Sequence, residues 1–315
     1  MSEESRNSVT ITDVTLREYG QNVPATELHV FSPEIRVEIA QRLIDAGFTN
    51  IEIFSCINPK VAPAMNQEAL KKIAIDLGRI NGVNIITLVP NQAGYGNFLD
   101  LDLGPEGLNH TIGIFFSAVE AHNLANLGRP IKETIEEYKK IVRDASSNNI
   151  RVVGYISAVF GYFDTENGVL IKADTGEVSN YVDLLFDLGV ETVTFSDLQG
   201  VANQEQTRMF FETILNIRKG KDMGKLAYHP HHVSGEAAIA NSRIAYDIGV
   251  RRFDSSLGGT GGCVTGAPGN QPTEKLVRFF NESRIESGID EQKVFSLTDM
   301  VQRELYSNIP LSFTQ

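Results

Sequence analysis

The sequence predicts an α/β protein built as one (β/α)8 TIM barrel with a short C-terminal extension, and three observations lead there. Short β-rich runs alternate with longer amphipathic ones from residue 9 to residue 288, the pattern of repeated βα units and a parallel sheet. Eight such units follow one another with no long linker, in a span of the size usual for a single barrel. Polar residues with useful chemistry gather where the β-rich runs end, which in barrels is the catalytic face.

The first strand is Val9 to Val14, and a long loop leads to a helix from Pro33 to Ala46, with Ser32 as N-cap, Pro33 at N1 and Gly47 past its end. Asn50 to Phe54 is the second strand, followed by a loop to Pro63 and a helix to about Ile80. The third strand, Val83 to Val89, is apolar nearly throughout, as a strand covered on both faces is, and its helix spans Gln92 to Leu101. Thr111 to Ser117 is the fourth, and the helix from Ile131 to Ser147 carries Pro130 at its start and Glu133, Glu136 and Glu137 in its early turns, where the macrodipole favours acids.

After the fifth strand, Arg151 to Ala158, residues Tyr162 to Glu177 form an insert in which Asn167-Gly168 marks a hairpin turn between two β-prone triplets. A helix from Val178 to Leu188 closes at Gly189, the sixth strand runs from Thr192 to Ser196 and ends in Asp197, and Gln204 to Ile217 is the next helix. The seventh strand begins at Lys225 and ends at His231, its helix is Gly235 to Ile248, and Arg252 to Ser256 is the eighth strand. A glycine-rich loop leads to a helix capped by Thr273 and running to about Glu286. The barrel domain is therefore 9–288, and 289–315 is a C-terminal extension with one helix, Leu297 to Leu305.

Hydrophobic residues make up 42% of the 315 and charged ones 22%, the balance of an ordinary globular protein. A net charge of −12 without a cluster of Lys and Arg argues against a nucleic-acid partner, because phosphate binding needs such a cluster. The acidic start, Met1-Ser2-Glu3-Glu4-Ser5, has no secretory pattern, and no apolar run approaches the roughly 18 residues of a membrane helix. The expectation is a cytoplasmic protein with no membrane partner. In that setting Cys56 and Cys263 are not expected to form a disulfide, and each is either core filler or a reactive thiol.

Strand side chains alternate, so His229 and His231 point the same way and Pro230 away, at the end of a strand that proline helps to finish. Such a pair is either half of a metal site or two polar residues at a strand-loop junction. Two imidazoles, the carboxylate of Glu18 and the amide oxygen of Asn270 would supply a mixed nitrogen and oxygen set for a divalent cation, Mg²⁺ or Mn²⁺ rather than structural zinc. Between Gly258 and Asn270 the loop has the glycines of a phosphate cradle but not the lysine of a P-loop. It reads either as a tight turn or as a flexible lid that delivers Cys263.

Asp13-Val14-Thr15-Leu16-Arg17-Glu18 with Gln21, the His229 and His231 pair, and Gly269-Asn270 together resemble the metal-dependent DRE-TIM metallolyase superfamily, which includes 3-hydroxy-3-methylglutaryl-CoA lyase, isopropylmalate synthase and homocitrate synthase. Within it the chain most resembles the lyases, through Ile51-Glu52, Asn58-Pro59-Lys60, Gly154-Tyr155-Ile156-Ser157, Asp254-Ser255-Ser256, Gly261-Gly262-Cys263 and Thr273-Glu274, in the same order and over residues 9–288. The resemblance implies metal ligands at Glu18, His229, His231 and Asn270, with Arg17 neutralising an enolate oxygen. It also implies Cys263 in protonation of that enolate and Asp197 and Glu52 orienting or relaying protons.

The implied reaction is metal-dependent cleavage of a β-hydroxy acyl-CoA to acetyl-CoA and a carbonyl product, in a homodimer. The rival is an acyltransferase that condenses acetyl-CoA with a 2-oxo acid; Cys263 favours the lyase, because synthases of the superfamily generally lack the Gly-Gly-Cys loop. Several places depart from the lyase pattern. Glu18 stands where Asp is usual, His232-Val233-Ser234 where Asp-Thr-Tyr is common, and Ser196-Asp197-Leu198 where Gly-Asp-Thr is usual. The loop after Cys263 is shorter, and the insert from Tyr162 replaces a short loop near the substrate entrance. These changes bear on substrate identity more than on reaction type.

Overall fold

Thr10–Asp13 pairs in parallel with Asn50–Ser55 on one side and with Arg252–Ser255 on the other, so the sheet that starts with the first strand closes on the last. This closure removes sheet edges and leaves a barrel of eight parallel strands. In the computed structural model, residues 7–23, 25–78, 80–101, 111–231, 234–261 and 269–305 are described. In chain order the elements are β1 (Thr10–Asp13), α1 (Thr15–Asn22), α2 (Pro33–Asp45), β2 (Asn50–Ser55), α3 (Gln67–Leu77), β3 (Asn84–Leu88), α4 (Gln92–Leu99), β4 (Thr111–Ser117), α5 (Glu120–Leu127) and α6 (Ile131–Ser147). They continue with β5 (Arg151–Ser157), the hairpin β6 (Tyr162–Asp164) and β7 (Val169–Ile171), α7 (Thr175–Leu188), β8 (Thr192–Asp197), α8 (Gln204–Arg218), β9 (Leu226–Pro230), α9 (Gly235–Ile248), β10 (Arg252–Ser255), α10 (Thr273–Glu282) and α11 (Glu291–Glu304). The barrel takes its strands in sequence order, β1 to β5 and then β8 to β10, and β6 pairs with β7 alone.

Both faces of a barrel strand are covered, which is why β4 reads Thr-Ile-Gly-Ile-Phe-Phe-Ser with no charge. Its outward residues Ile112, Ile114 and Phe116 join the core beneath the helices, while Phe115 turns inward beside Ile86, Leu88, Val153 and Tyr155. Gly113 shares that inward face. A β-carbon there would lie 2.7 Å from Leu88 and 3.1 Å from the Tyr155 ring, so the missing side chain is what lets Tyr155 cross the interior.

Helix starts follow their caps. Ser32 accepts from the amide of Ile35 at 3.5 Å and begins α2 as expected, and Asn203 and Gln206 form a reciprocal capping box on α8. The helix expected from Pro63 is a short 3-10 turn, Pro63–Met65, and α3 begins only after Asn66, whose side chain accepts from Ala69. α7 starts earlier than expected, because Asp174 accepts from Glu177 at 2.8 Å. Thr273 does not cap α10; its hydroxyl faces inward to Ser255 and Asp13.

Two helices occupy segments expected as loop, α1 and α5. α1 has no side-chain cap at Val14 and is held by packing and by the seam of the barrel, where Val14 donates to the Ser255 carbonyl and Leu257 to the Thr15 hydroxyl. The extension is more than the short helix expected from Leu297. α11 begins after Asp290, which accepts from Lys293, and packs on α2 and α10, while Tyr19 of α1 donates to the Leu305 carbonyl at 3.0 Å.

Candidate metal centre at the barrel rim

His229 lies on β9, and β9 pairs with β10 in the register Ala227 with Arg252 and Tyr228 with Phe253. The next position sets His229 beside Asp254, and His229 Nδ1 is 3.1 Å from Asp254 Oδ2. Pro230 ends the strand, and His231 is held by its backbone, which donates to the Asp197 carbonyl at 3.1 Å and bridges to Asn270. The alternation read from the sequence holds: the two Nε2 atoms face each other at 2.9 Å.

The third group arrives from β1. α1 follows that strand with a single residue between, so Arg17 and Glu18 sit in its first turn against the same rim. A Glu18 oxygen is 3.9 Å from His229 Nε2, and one ligand atom each from Glu18, His229 and His231 lie within 4.8 Å of one another. All three are buried. Burial alone would raise the Glu18 carboxyl, but the Arg17 guanidinium beside it overcomes this and holds it below its usual range. Two imidazole lone pairs and a carboxylate converging in so small a volume suit a divalent cation, and no cysteine joins them among the described residues.

Asn270 reaches the rim from the far side of the glycine-rich loop. Its Nδ2 donates to the Thr260 carbonyl at 2.8 Å, so its Oδ1 is turned away from that bond. Gly261 (φ +98°) passes so close that a β-carbon would lie 2.7 Å from Asn270 Nδ2 and 2.6 Å from the Glu18 β-carbon. Only glycine fits there. The path to Cys263 thus starts against the centre; Cys263 itself lies outside the described residues.

Arg17 is clamped between two carboxylates. Its Nε donates to Glu52 Oε2 at 2.5 Å, and its Nη1 donates to Glu18 Oε1 and, at 3.4 Å, to Gln21. Burial works against a charged guanidinium, yet Glu18 and Glu52 more than compensate and keep Arg17 firmly protonated. Glu52 has no exposure at all; burial raises its carboxyl despite Arg17, and Tyr155 donates to its second oxygen at 2.8 Å. Burial likewise raises Asp197, to about 6, against the backbone amides of Ala202, Val201 and Gly200. Both Asp197 oxygens accept from its own loop, one from Val201 and one from Ala202, each at 3.0 Å, which makes it the clasp of the loop that follows β8.

The structure therefore brings together Glu18, His229 and His231, with Arg17, Glu52 and Asn270 around them and Asp197 one strand away. Asp254 and Tyr155 join as partners of His229 and Glu52, from motifs to which the family resemblance attaches no role. The register of β9 on β10 is what places Asp254 beside His229, because parallel neighbours at one level face the same way.

The sequence profile of the HMGL-like family matches residues 8–301. Hydroxymethylglutaryl-CoA lyase of Bacillus subtilis is 30% identical over 304 residues, covering 96% of this chain and 95% of that one. (R)-citramalyl-CoA lyase of Chloroflexus aurantiacus is 30% identical over 314 residues, covering 96% and 93%. The crystal structure of the Bacillus subtilis HMG-CoA lyase superposes with a TM-score of 0.81 at 28% identity, covering 98% of this chain and 97% of that one. An eight-stranded parallel barrel with these rim residues and this extent of similarity has one assignment: the chain belongs to the HMGL-like family.

Proposed function

We propose that the chain is a carbon–carbon lyase of CoA thioesters, dependent on a divalent cation, that splits a β-hydroxy acyl-CoA into acetyl-CoA and a carbonyl product. The observation that carries the reading is the convergence of the Glu18, His229 and His231 ligand atoms within 4.8 Å, next to a guanidinium held by two buried carboxylates. The lyase names of two relatives, each covering more than nine-tenths of the chain, support the reaction class. They carry different acyl groups, so they leave the choice of acyl group to experiment.

Cleavage of such a substrate passes the hydroxyl proton to a carboxylate of the site, the relay role that the resemblance implies for Asp197 and Glu52, forms a carbonyl at that carbon, and breaks the adjacent carbon–carbon bond, whose electron pair becomes an enolate of the thioester. The enolate then takes a proton and leaves as acetyl-CoA. A Mg²⁺ or Mn²⁺ ion held by Glu18, His229, His231 and Asn270 would acidify the substrate hydroxyl. Arg17 supplies the positive charge for the enolate oxygen: Nε and Nη1 are occupied by carboxylates, and Nη2 has no hydrogen-bond partner among the described residues. Glu52, fixed by Tyr155, aims that guanidinium, and Asp197 shapes the loop beside His231. Protonation of the enolate falls to Cys263 on its glycine-rich loop, the assignment that the lyase resemblance implies.

The test is incubation of the purified protein with a panel of β-hydroxy acyl-CoA thioesters, including the 3-hydroxy-3-methylglutaryl and citramalyl esters, with Mg²⁺ or Mn²⁺ and with chelator. Metal-dependent release of a thioester product with its carbonyl partner is the expected result. No cleavage across the panel, with condensation of acetyl-CoA onto 2-oxo acids instead, overturns it in favour of an acyltransferase.

A further inference from the structure

We infer that Asp254 is the positioning residue that fixes His229 in the tautomer a metal requires, an inference that rests on the metal-centre reading above. An imidazole has one lone pair for a metal when neutral, and the nitrogen that offers it is decided by what the other nitrogen bonds. Here the other nitrogen, Nδ1, is 3.1 Å from Asp254 Oδ2. A carboxylate accepts and does not donate, so the proton sits on Nδ1 and the lone pair is left on Nε2. Nε2 is the atom that faces His231 at 2.9 Å and Glu18 at 3.9 Å.

Asp254 does not belong to the ligand set. The converging group holds Glu18, His229 and His231 and not Asp254, whose carboxylate lies behind the ring, on the side away from Nε2. A carboxylate in that place orients the ring and makes the facing nitrogen a stronger donor, whereas a second ligand would bring its oxygen to the metal. Both Asp254 and His229 are nearly inaccessible to solvent, so water does not compete for the contact.

The backbone around the pair is fixed by one glutamine. Gln271 donates from Nε2 to the Asp254 carbonyl at 2.7 Å and from its amide to the Pro230 carbonyl at 3.2 Å, while its Oε1 accepts from Ser242 of α9 at 2.8 Å. It follows Asn270 in the chain. The strand that carries Asp254, the strand that carries His229 and the residue beside Asn270 are thus tied at one point, which holds Asp254 and His229 in register.

The experiment measures Mn²⁺ affinity of the full-length protein by calorimetry and the ¹⁵N chemical shifts of the His229 ring, for wild type, Asp254→Ala, Asp254→Asn and His229→Ala. We expect Asp254→Ala to bind Mn²⁺ about 10 to 100-fold more weakly, the range usual for loss of such a partner, and its metal-free His229 to lose the Nδ1–H tautomer. Asp254→Asn keeps an acceptor oxygen and should fall between Asp254→Ala and wild type. Circular dichroism establishes that each variant is folded, and Asp254→Asn decides the matter should Asp254→Ala not fold. Wild-type affinity and an unchanged tautomer in the Asp254 variants, with Mn²⁺ binding lost in His229→Ala, overturn the positioning role alone. Undiminished Mn²⁺ binding by His229→Ala instead overturns the metal centre itself, and this inference with it.

Discussion

Arg17 spends its hydrogen bonds on Glu52 and Glu18, and this decides what a substitution there does. Arg17→Lys retains a charge but replaces a planar fork by a point charge, which cannot bridge two carboxylates and still present a donor to an oxyanion. We expect a fall in kcat on the order of 10²–10³ with a smaller change in KM, read by steady-state kinetics on whichever thioester is cleaved. Near-normal turnover would remove Arg17 from the chemistry. The two cysteines offer a second test. Cys56 is buried, and burial pushes its thiol up to about 12, so it presents almost no thiolate at pH 8. Iodoacetamide should therefore label Cys263 and not Cys56: Cys263→Ser should lose both labelling and most turnover, and Cys56→Ser should keep both. Equal labelling of the two single variants by mass spectrometry contradicts the contrast. The clustering of Glu18, His229 and His231 was legible because the two histidines alternate at the end of one strand and Glu18 follows the end of another, and all three ligand atoms lie within 4.8 Å. Asp254 and Tyr155 were not, because their partners, His229 and Glu52, are fixed by register and by reach across the barrel, which a local pattern does not carry.

The elements that the sequence reading placed well are those with their own cap or a long apolar period, such as α2 with Ser32 and α6 with six buried residues along one face. α1 and α5 are each short and without a side-chain cap, so no local signal announces them and tertiary contacts rather than local preference make them helical. The hairpin is the reverse case: Asn167-Gly168 announced it, and β6 and β7 pair from Tyr162 with Ile171 to Asp164 with Val169. What the turn signal did not carry is how the hairpin is anchored. Gln199, in the loop after β8, accepts from the Phe163 amide at 2.6 Å and donates to the Phe163 carbonyl at 3.1 Å, imitating a neighbouring strand, while Tyr162 lies 5.0 Å from the buried ring of His122. Gln199→Ala deletes both bonds and leaves the ring contact. At about 1 kcal/mol per bond, opening of this segment should become roughly tenfold or more easier. Hydrogen–deuterium exchange over residues 160–172 should rise by that factor while the amides of β5 stay protected. Unchanged protection would mean that Gln199 does not hold the hairpin.

At the scale of the whole molecule the closing seam of the barrel carries a buried acid. Asp13 ends β1 with no exposure, accepts from the amide and hydroxyl of Thr15 at 3.0 Å each, and accepts from Thr273 of α10 at 3.3 Å, so it joins the first strand to the last helix of the barrel. Burial raises its carboxyl from 3.8 to about 7, against these hydrogen bonds. Below about pH 4 the folded and unfolded chains both hold the proton, and Asp13 does not affect the balance. Between about 4 and 7 the folded chain holds a proton that the unfolded chain has released, so rising pH favours unfolding, by up to about 1.4 kcal/mol per unit. Above about 7 the loss is complete and the contribution is flat, at most a few kcal/mol in all. Glu52 and Asp197 are raised by burial as well, so the total curve mixes several groups and the informative quantity is a difference. Urea unfolding of wild type and Asp13→Asn between pH 4 and pH 8 isolates it. The variant, neutral throughout, should gain on the wild type as pH rises to about 7 and then hold a constant gap, even where the loss of one acceptor makes it less stable at pH 4. Two curves that stay parallel across the range would show that Asp13 is ionised in the fold from the start, with the Thr15 and Thr273 bonds outweighing its burial.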